Sequence, residues 1–380
     1  MTAEYDVIFR SSKSMRGFGT TEIRCVQPVH FLKEAGLTAH AGCIYDAGLP
    51  PCHLLVLHRV TLDPVTQHVI GLARSYGASI LYDTDDFLSE SSGAEWDPDI
   101  AAAIREADLV SVSGRALAAK VAELGKETVI VRAKLSRLVM STAEHAKRVA
   151  RPKKTVAIGY FSGSAHHDAD FEMIAPALAN ILREHPNTRL ALGGKLNVGK
   201  DFDDLAARVS FAPFRPYAEF VQLLGEIDIN LAPLDLTSSL AQSRSDLKYI
   251  EASVFGVPTI ASPSMAYLDA IDDGVTGLIA ADSEWQNKLE LLILSAERRK
   301  AMGEAARAYV AREASADAGC KEWLDLFERL KPASIRGKSW SNLSERCGLS
   351  LAQLRREGRR SLRTALDGLP MRRTGTTKAK

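Results

Sequence analysis

The feature that most limits the fold of this chain is an alternation of short apolar runs with amphipathic segments. Uninterrupted apolar runs are typical of strands buried on both faces, and helices between them supply the crossovers of a parallel sheet. The candidate strands of the first half are 5–9, 38–44, 53–58, 78–83, 108–113 and 128–132. Helices are predicted between them near 20–35, 64–76, 98–106 and 114–124. This half is therefore expected to form a doubly wound parallel sheet.

The alternation is interrupted once and then resumes. Residues 141–155 are polar and basic and include a proline, which is typical of a linker. Six further candidate strands follow at 155–161, 188–194, 208–214, 228–234, 257–262 and 276–280. Helices are predicted after them near 283–297, 297–312 and 317–330. Right-handed crossovers place the ligand crevice of each sheet at the carboxyl ends of its strands, so the two crevices are expected to face each other.

We therefore predict an α/β protein with two doubly wound, Rossmann-like domains that face each other across a cleft. A chain of 380 residues is longer than one hydrophobic core usually fills, which agrees with two domains. The predicted segments are an N-terminal domain (1–145), a linker (146–154), a C-terminal domain (155–312), a closing helix (313–335) and a basic helical tail (336–380).

Composition indicates a soluble globular protein, because the chain is 46% hydrophobic and 25% charged. No stretch approaches the ~20 apolar residues of a membrane-spanning helix, and the N-terminus has no signal-peptide core. The five cysteines are odd in number and scattered, without a C-x-x-C pair. They argue against a disulfide framework and a zinc site. We therefore expect a cytoplasmic protein.

The net charge of +1 conceals a basic C-terminal end. From Lys331 onward thirteen lysines and arginines are opposed by three acidic residues, and leucines recur between the arginines at helical spacing (Leu351, Leu354, Leu362, Leu366, Leu369). A basic amphipathic helix suits an anionic membrane surface, so one expectation is a peripheral protein of the inner membrane surface. The alternative is a helix packed on the acidic remainder of the chain. Nucleic acid is disfavoured, because aromatic residues for base stacking are nearly absent there.

A glycine-containing loop follows the first candidate strand. Gly17 and Gly19 flank Phe18 just before a predicted helix. Glycines allow close approach of the backbone to a ligand, and helix amides attract anions. The loop lacks the third glycine of a dinucleotide fingerprint, so it is a weak indication of NAD. A tight turn without a ligand is the alternative.

Three aspartates, Asp83, Asp85 and Asp86, lie in "YDTDDFL" at the end of the fourth strand. They resemble the D-x-D element that holds a metal and a sugar-nucleotide diphosphate in one class of transferases. Crowded carboxylates also suit general-base work, since crowding raises one pKa. Helix capping by Asp85 or Asp86 is the alternative. A metal would need further oxygen ligands that the sequence does not identify, so the metal interpretation is the weaker one.

A second polar loop, "YFSGSAHHDADF", ends the first strand of the second half. Gly163 and Ser164 are expected to face a phosphate, with His166 as a hydrogen-bond donor to the same ligand. Adjacent histidines point in different directions and make a poor metal pair. Asp168 or Asp170 is expected to cap the next helix.

The segment "SRSDLKYIE" provides the strongest candidate site. Ser243 and Ser245 are predicted helix caps, so the positive end of the helix dipole would be exposed there. Arg244 and Lys248 in that first turn suit a doubly charged phosphate. Glu251, one turn further on, would accept hydrogen bonds from vicinal hydroxyls such as those of a ribose. The alternative is a solvated Lys–Glu pair worth ~0.2–0.5 kcal/mol.

The longer segment "SRSDLKYIEASVFGVPTIAS" (243–262) resembles the donor-site signature of the group 1 glycosyltransferases, which are retaining enzymes with the GT-B fold. That signature is a Glu-x7-Glu element followed by Ala-x-x-Gly-x-Pro-x-Ile-Ala. Residues 211–234 and 266–293 resemble the family's elements before and after it. The resemblance covers 155–312. The first half contributes its glycine loop, "LHRV" and "YDTDDFL".

The resemblance implies a nucleotide-sugar donor in the C-terminal domain and a glycan, lipid-linked or other acceptor in the N-terminal one. Electrostatic stabilisation of the departing diphosphate would then require no metal cofactor. The predicted donor-binding residues are Gly17, Gly19, Gly163, Ser164, His166, Ser243, Arg244, Lys248 and Glu251. The predicted catalytic residues are Asp85, Asp86, Lys248 and Glu251, with His58 as a lesser candidate.

One departure from the family pattern affects the prediction. The first glutamate of Glu-x7-Glu, which often contacts the donor sugar in the family, falls on Ser243. The identity of the sugar and the choice between retention and inversion therefore stay open. Two alternatives to sugar transfer are a nucleotide-sugar epimerase on the same fold and a sugar-nucleotide-binding protein with weakened catalysis.

Overall fold

The computed structural model describes residues 3–332 except 14, 16–18, 47, 87–95, 150–154, 163–167, 195, 197, 214 and 238–240. In this part of the chain twelve strands form two parallel sheets of six strands each. The predicted fold class, two doubly wound Rossmann-like units, is confirmed. The basic tail predicted for 336–380 lies outside the described residues.

The first sheet has the strand order β2-β1-β3-β4-β5-β6. Its strands are β1 (Tyr5–Ser11), β2 (Ala39–Cys43), β3 (Cys52–His58), β4 (Ser79–Thr84), β5 (Leu109–Val112) and β6 (Thr128–Ile130). Parallel register aligns the ends of three neighbouring strands, because His58 is opposite Asp83 and Asp83 is opposite Ser111. Polar residues that are far apart in sequence therefore meet at one edge of the sheet.

Helices cover both faces of this sheet. They are α1 (Gly19–Thr21), a π-helical segment (Glu22–Val26), α2 (Gln27–Glu34), α3 (Pro64–Ser75), α4 (Pro98–Glu106) and α5 (Arg115–Ala122). Aspartate and proline start two of them. Asp63 caps α3 by accepting the Thr66 amide at 2.7 Å, and Asp97 caps α4 in the same way.

The second sheet has the order β12-β11-β10-β7-β8-β9. Its strands are β7 (Val156–Phe161), β8 (Thr188–Gly193), β9 (Val209–Ala212), β10 (Ile229–Ala232), β11 (Thr259–Ala261) and β12 (Leu278–Ile279). Its α-helices are α7 (Asp168–Glu184), α8 (Tyr217–Leu224), α9 (Leu247–Ser253), α10 (Met265–Ala270), α11 (Trp285–Ile293), α12 (Ala296–Glu313) and α13 (Ala316–Leu330). The 3-10 helices among its described residues are Lys200–Arg208, Ala241–Ser243 and Asp282–Glu284. Buried Tyr160, Phe171 and Trp285 lie in the main core of this unit.

The predicted linker is partly helical. A further helix, α6 (Arg137–Val149), occupies its first four residues, and 150–154 lie outside the described part. Val139 and Ala143, one turn apart on α6, are buried in the same apolar cluster as Tyr249 and Ile250 of the second unit. These two apolar positions at helical spacing lie before the predicted linker, and they anchor a helix that continues into it.

The last described helix returns to the first unit. The Trp323 ring of α13 packs edge-on against Phe9 of β1 with 5.2 Å between centroids, and Cys320 Sγ donates to the Phe31 carbonyl at 3.3 Å. The closing helix predicted for 313–335 therefore bridges the two units. Among the described residues every helix is too short or too polar to cross a bilayer.

Two glycines fix the distance between α12 and α9. Gly256 lies in the turn after α9 and has a φ of 74°, a conformation that glycine adopts without strain. A Cβ on Gly303 of α12 would lie only 1.9 Å from the Gly256 carbonyl oxygen. The two backbones are therefore in direct contact, and this contact fixes the position of the helix that carries Lys248 and Glu251.

We expect Gly303→Ala to lower the free energy of unfolding by about 1–3 kcal/mol, because the new methyl group collides with backbone that cannot rotate away. The matched control is Gly71→Ala on α3, where a Cβ meets nothing within 4 Å. That change should raise the same free energy by about 0.5–1 kcal/mol. Urea unfolding of both variants measures the difference. Equal effects of the two substitutions would contradict the proposed contact.

Candidate functional site

Asp83 is the centre of a buried network at the carboxyl ends of β3, β4 and β5. Its carboxylate accepts bonds from Arg24, with Nε at 3.0 Å, from His58 Nδ1 at 3.0 Å and from Ser111 Oγ at 2.5 Å. Burial acts to raise the pKa of Asp83, but the Arg24 guanidinium and His58 outweigh it and hold this pKa well below its ordinary value. Asp83 is thus a fixed, ionised anchor whose oxygens are already occupied.

Asp85 and Asp86 share a single arginine. Arg59 Nε lies 2.7 Å from Asp85 Oδ1, and Arg59 Nη2 lies 3.3 Å from Asp86 Oδ2. Burial acts to raise the pKa of Asp85, while Arg59 and His58 lower it, and the net shift is downward. Two adjacent carboxylates would otherwise repel each other. The positive charge of the arginine offsets this repulsion at the edge of the sheet.

Asp86 reaches across to the second unit. Its Oδ1 accepts a hydrogen bond from Ser243 Oγ at 3.2 Å, and its Oδ2 lies 3.6 Å from Arg244 Nη1. Of the two aspartates predicted as catalytic, Asp86 therefore contacts the predicted donor-binding segment directly. Asp85 contacts residues of the first unit instead, since its Oδ1 lies next to Arg59 and 4.0 Å from His58 Nε2.

Lys248 lies in the first turn of α9. Asn230 fixes this turn to the sheet, because its Nδ2 donates to the Lys248 carbonyl at 3.1 Å and to Thr259 Oγ1 at 3.1 Å. The ammonium is buried 4.6 Å from the centre of the Tyr160 ring, and in the described part of the chain it has no hydrogen-bond partner. Burial lowers the pKa of Lys248 to about 8, against the opposing charge of Asp170.

Glu251 follows one turn later on the same helix. It is 5% exposed, so it faces the protein interior and not bulk solvent. Burial raises the pKa of Glu251 to about 7, against the opposing effects of the Tyr217 hydroxyl and the Lys248 charge. A buried carboxylate and a buried ammonium therefore lie within one helical turn of each other.

The start of this helix differs from the sequence prediction. Helix α9 begins at Leu247, and its N-cap residue is Asp246, whose side chain caps no amide. Ser243 belongs to the preceding 3-10 helix, and its hydroxyl donates to Asp86 across the cleft. The prediction that Ser243 or Ser245 caps the helix is wrong, because Ser243 has a carboxylate partner in the other unit. The positive environment comes from Lys248 and Arg244 more than from a seven-residue helix.

The remaining predicted site residues are only partly described. Gly19 is the first residue of α1, and a Cβ there would meet nothing within 4 Å. Gly17, Gly163, Ser164 and His166 lie outside the described residues. Among the residues that are described, no group of three His, Cys, Asp or Glu side chains is placed to hold a metal ion.

Three residues of the site were missed in the sequence. Arg24 lies in the π-helical segment, Arg59 follows β3, and Tyr217 opens α8. Arg59 alone had a usable signal, since a charged residue directly after a buried parallel strand lies at the ligand-facing edge. The positions of Arg24 and Tyr217 depend on how helices pack, which no local pattern reports.

Comparisons with known proteins agree with this geometry. Residues 156–294 match the family model "Glycosyl transferases group 1". A D-inositol 3-phosphate glycosyltransferase of Corynebacterium jeikeium (strain K411) is 29% identical over 217 residues, which are 52% of this chain and 49% of the relative. The protein of the same name from Corynebacterium kroppenstedtii is 27% identical over 157 residues, 37% of this chain and 34% of that one. The chain thus spans half or less of the length of these relatives.

Solved structures show the same fold at low sequence identity. Anabaena HepE in complex with UDP-glucose has a TM-score of 0.61 at 15% identity, over 85% of this chain and 100% of that chain. Sucrose-phosphate synthase from Thermosynechococcus elongatus has a TM-score of 0.63 at 14% identity, over 86% of this chain and 99% of that chain. The chain therefore has the GT-B fold, and its residues 156–294 are similar to the group 1 glycosyltransferases.

Proposed function

We propose that this protein transfers a sugar from a nucleotide-sugar donor to an acceptor, and that Lys248, Arg244 and Glu251 hold the donor. The observation that carries the proposal is the buried ammonium of Lys248, which has no hydrogen-bond partner in the described part of the chain. An ammonium removed from water without a partner is unfavourable. A diphosphate would supply strong charge-assisted hydrogen bonds at this point.

Glu251 adds the second half of a donor site. An ionised carboxylate accepts hydrogen bonds from two neighbouring hydroxyls, as found on a ribose. Glu251 lies one helical turn beyond Lys248, so a nucleoside attached to a diphosphate at Lys248 would extend toward it. The complex of HepE with UDP-glucose, on the same fold, supports a nucleotide sugar as the ligand.

The chemistry follows from where charge develops. When the bond between the anomeric carbon and the diphosphate oxygen breaks, negative charge accumulates on the leaving diphosphate. Lys248 and Arg244 would stabilise that charge, with Arg244 moving from Asp86 to the phosphate. Asp85 and Asp86 would orient a sugar hydroxyl from the first unit. The acceptor oxygen forms the new bond to the anomeric carbon, and its proton passes to the departing diphosphate.

We propose that this reaction needs no metal cofactor. Metal chemistry would require free carboxylate oxygens near the diphosphate. The Asp83 carboxylate is occupied by Arg24, His58 and Ser111, and Asp85 and Asp86 both pair with Arg59. This donor set suits cation-assisted departure of the diphosphate better than metal-assisted departure.

For the acceptor we propose a glycan or a lipid-linked sugar, with the protein at the inner membrane surface. The support comes from the sequence of 336–380, where arginines alternate with leucines at helical spacing. Such a segment is attracted to anionic lipids. Binding of the full-length chain to vesicles with and without anionic lipid tests this placement.

The activity is tested with a panel of UDP-, GDP-, ADP- and dTDP-sugars. We expect one donor to be hydrolysed slowly by the full-length protein, at a rate unchanged by EDTA and increased by a suitable acceptor. Product analysis by mass spectrometry and NMR measures the outcome. Isomerisation of the donor sugar would instead indicate an epimerase, and binding without turnover a binding protein.

Substitution at the donor site separates binding from folding. We expect Lys248→Met to weaken donor affinity by about 10- to 100-fold, since charge-assisted hydrogen bonds contribute roughly 1.5–3 kcal/mol. Thermal stability should not fall, because the change removes a buried, unpartnered charge. Calorimetric titration and thermal melting measure both. The control is Lys120→Met on α5, whose ammonium pairs with Glu123 at the surface; equal donor affinity of all three proteins would refute the site.

The pKa shifts predict a narrow pH optimum. We expect kcat/KM for the donor to rise as Glu251 loses its proton near pH 7 and to fall as Lys248 loses its proton near pH 8, since kcat/KM reports the free enzyme. Glu251→Gln should remove the acid limb and leave the alkaline limb in place. Initial rates between pH 5.5 and 9.5 check this. A flat profile in the wild-type protein would rule out both assignments.

A further inference from the structure

Arg59 has an unusual backbone conformation at the edge of the cleft. With a φ of 50° it is the one non-glycine residue of the described part that has positive φ. Such a conformation is unfavourable for an arginine and persists only where its surroundings impose it. Here the Arg59 amide donates to the Asp83 carbonyl at 3.2 Å, and the Arg59 carbonyl accepts Ser12 Oγ at 2.7 Å. Bonds from two neighbouring segments therefore hold the strained turn.

The strained turn directs the side chain to the end of the adjacent strand. Instead of pointing to solvent, the guanidinium bridges Asp85 at 2.7 Å and Asp86 at 3.3 Å and is only 11% exposed. A planar guanidinium has donors in a fixed fork, so one group can hold two carboxylates in a defined relative orientation. The strain is offset because the positive charge of Arg59 reduces the repulsion between the two carboxylates.

The second side of Asp86 faces the donor-binding segment. Asp86 contacts Ser243 and Arg244, four to five residues before Lys248. When a diphosphate attracts Arg244, Asp86 loses one of its two cations. Arg59 stays in place, because its backbone and its second carboxylate, Asp85, hold it independently of the second unit.

We propose that Arg59 is a positioning residue that keeps Asp86 aimed across the cleft, where this carboxylate accepts hydrogen bonds from hydroxyls of the transferred sugar. This inference rests on the proposed function. Arg59 itself contacts neither the diphosphate nor the nucleoside. Its effect on a ligand is therefore confined to the part of the donor that Asp86 reaches, the sugar.

The test uses Arg59→Asn and Arg59→Lys. Asparagine tolerates positive φ but has no charge, so it keeps the turn and removes the bridge. Lysine keeps the charge without the fork. The ligands are the nucleotide sugar that the wild-type protein turns over in the donor panel and its nucleoside diphosphate. We expect Arg59→Asn to lower kcat by about 100-fold, as for other misplaced catalytic groups, with Arg59→Lys between it and the wild type.

Binding separates positioning from a structural role. In Arg59→Asn the affinity for the nucleoside diphosphate should stay within about twofold of wild type, while the extra affinity due to the sugar is lost. The double variant Arg59→Asn, Asp86→Asn should lose no more activity and no more sugar-dependent affinity than either single variant. Both substitutions disrupt the same interaction, so their effects should not add. Arg74→Gln is the control, since Arg74 pairs with Asp108 at 2.8 Å at the surface of the same sheet.

Three results would overturn the role of Arg59. They are wild-type kcat in Arg59→Asn, an equal loss of affinity for the nucleoside diphosphate and the nucleotide sugar, and additive losses in the double variant. A wild-type protein that binds no nucleotide sugar would instead refute the proposed function, and this role with it. The two failures are therefore distinguishable in one set of titrations.

Discussion

The ammonium of Lys248 is the group on which the proposed chemistry of the second unit depends. It lies 4.6 Å from the centre of the Tyr160 ring, is subject to the negative charges of Asp170 and Glu251, and has no hydrogen-bond partner in the described part of the chain. The elements around it are fixed rigidly, by the Asn230 side chain under the first turn of α9 and by the contact of Gly256 with Gly303 behind its last turn. A cation in such surroundings interacts strongly with an incoming anion because little solvent screens it.

In the first unit the crowded charges are negative, and arginines reduce their mutual repulsion. Its aspartates are crowded, and each is matched with an arginine that comes from a separate segment, Arg24 for Asp83 and Arg59 for the pair after it. Two arginines against three aspartates leave an excess of carboxylate oxygens at this edge, which suits the orientation of hydroxyl groups by hydrogen bonding. At position 243, where the resemblance implies a glutamate, a serine donates its hydroxyl to Asp86. A carboxylate is thus present beside this position, but the other unit supplies it.

Much of this fold could be predicted from sequence, because parallel strands buried on both faces leave long apolar runs that are easily recognised. Lys248 and Glu251 were also accessible, since both lie on one short helix with a familiar spacing. The start of that helix was not, because Ser243 has a partner 157 positions away in the chain. Helix α6 was missed for a related reason. Its charged surface dominates the composition, while Val139 and Ala143 decide its packing.

The path of the chain between the units has a mechanical consequence. The chain leaves the first sheet after β6 and crosses toward α6, and the segment between α12 and α13 runs back beside it. The Leu135 amide donates to the Ala314 carbonyl at 2.8 Å, and Lys134 pairs with Glu322 at 2.9 Å. Two chain segments that are bonded to each other resist twisting more than a single segment does. The connection between the two units is therefore double, and it restrains their rotation relative to each other.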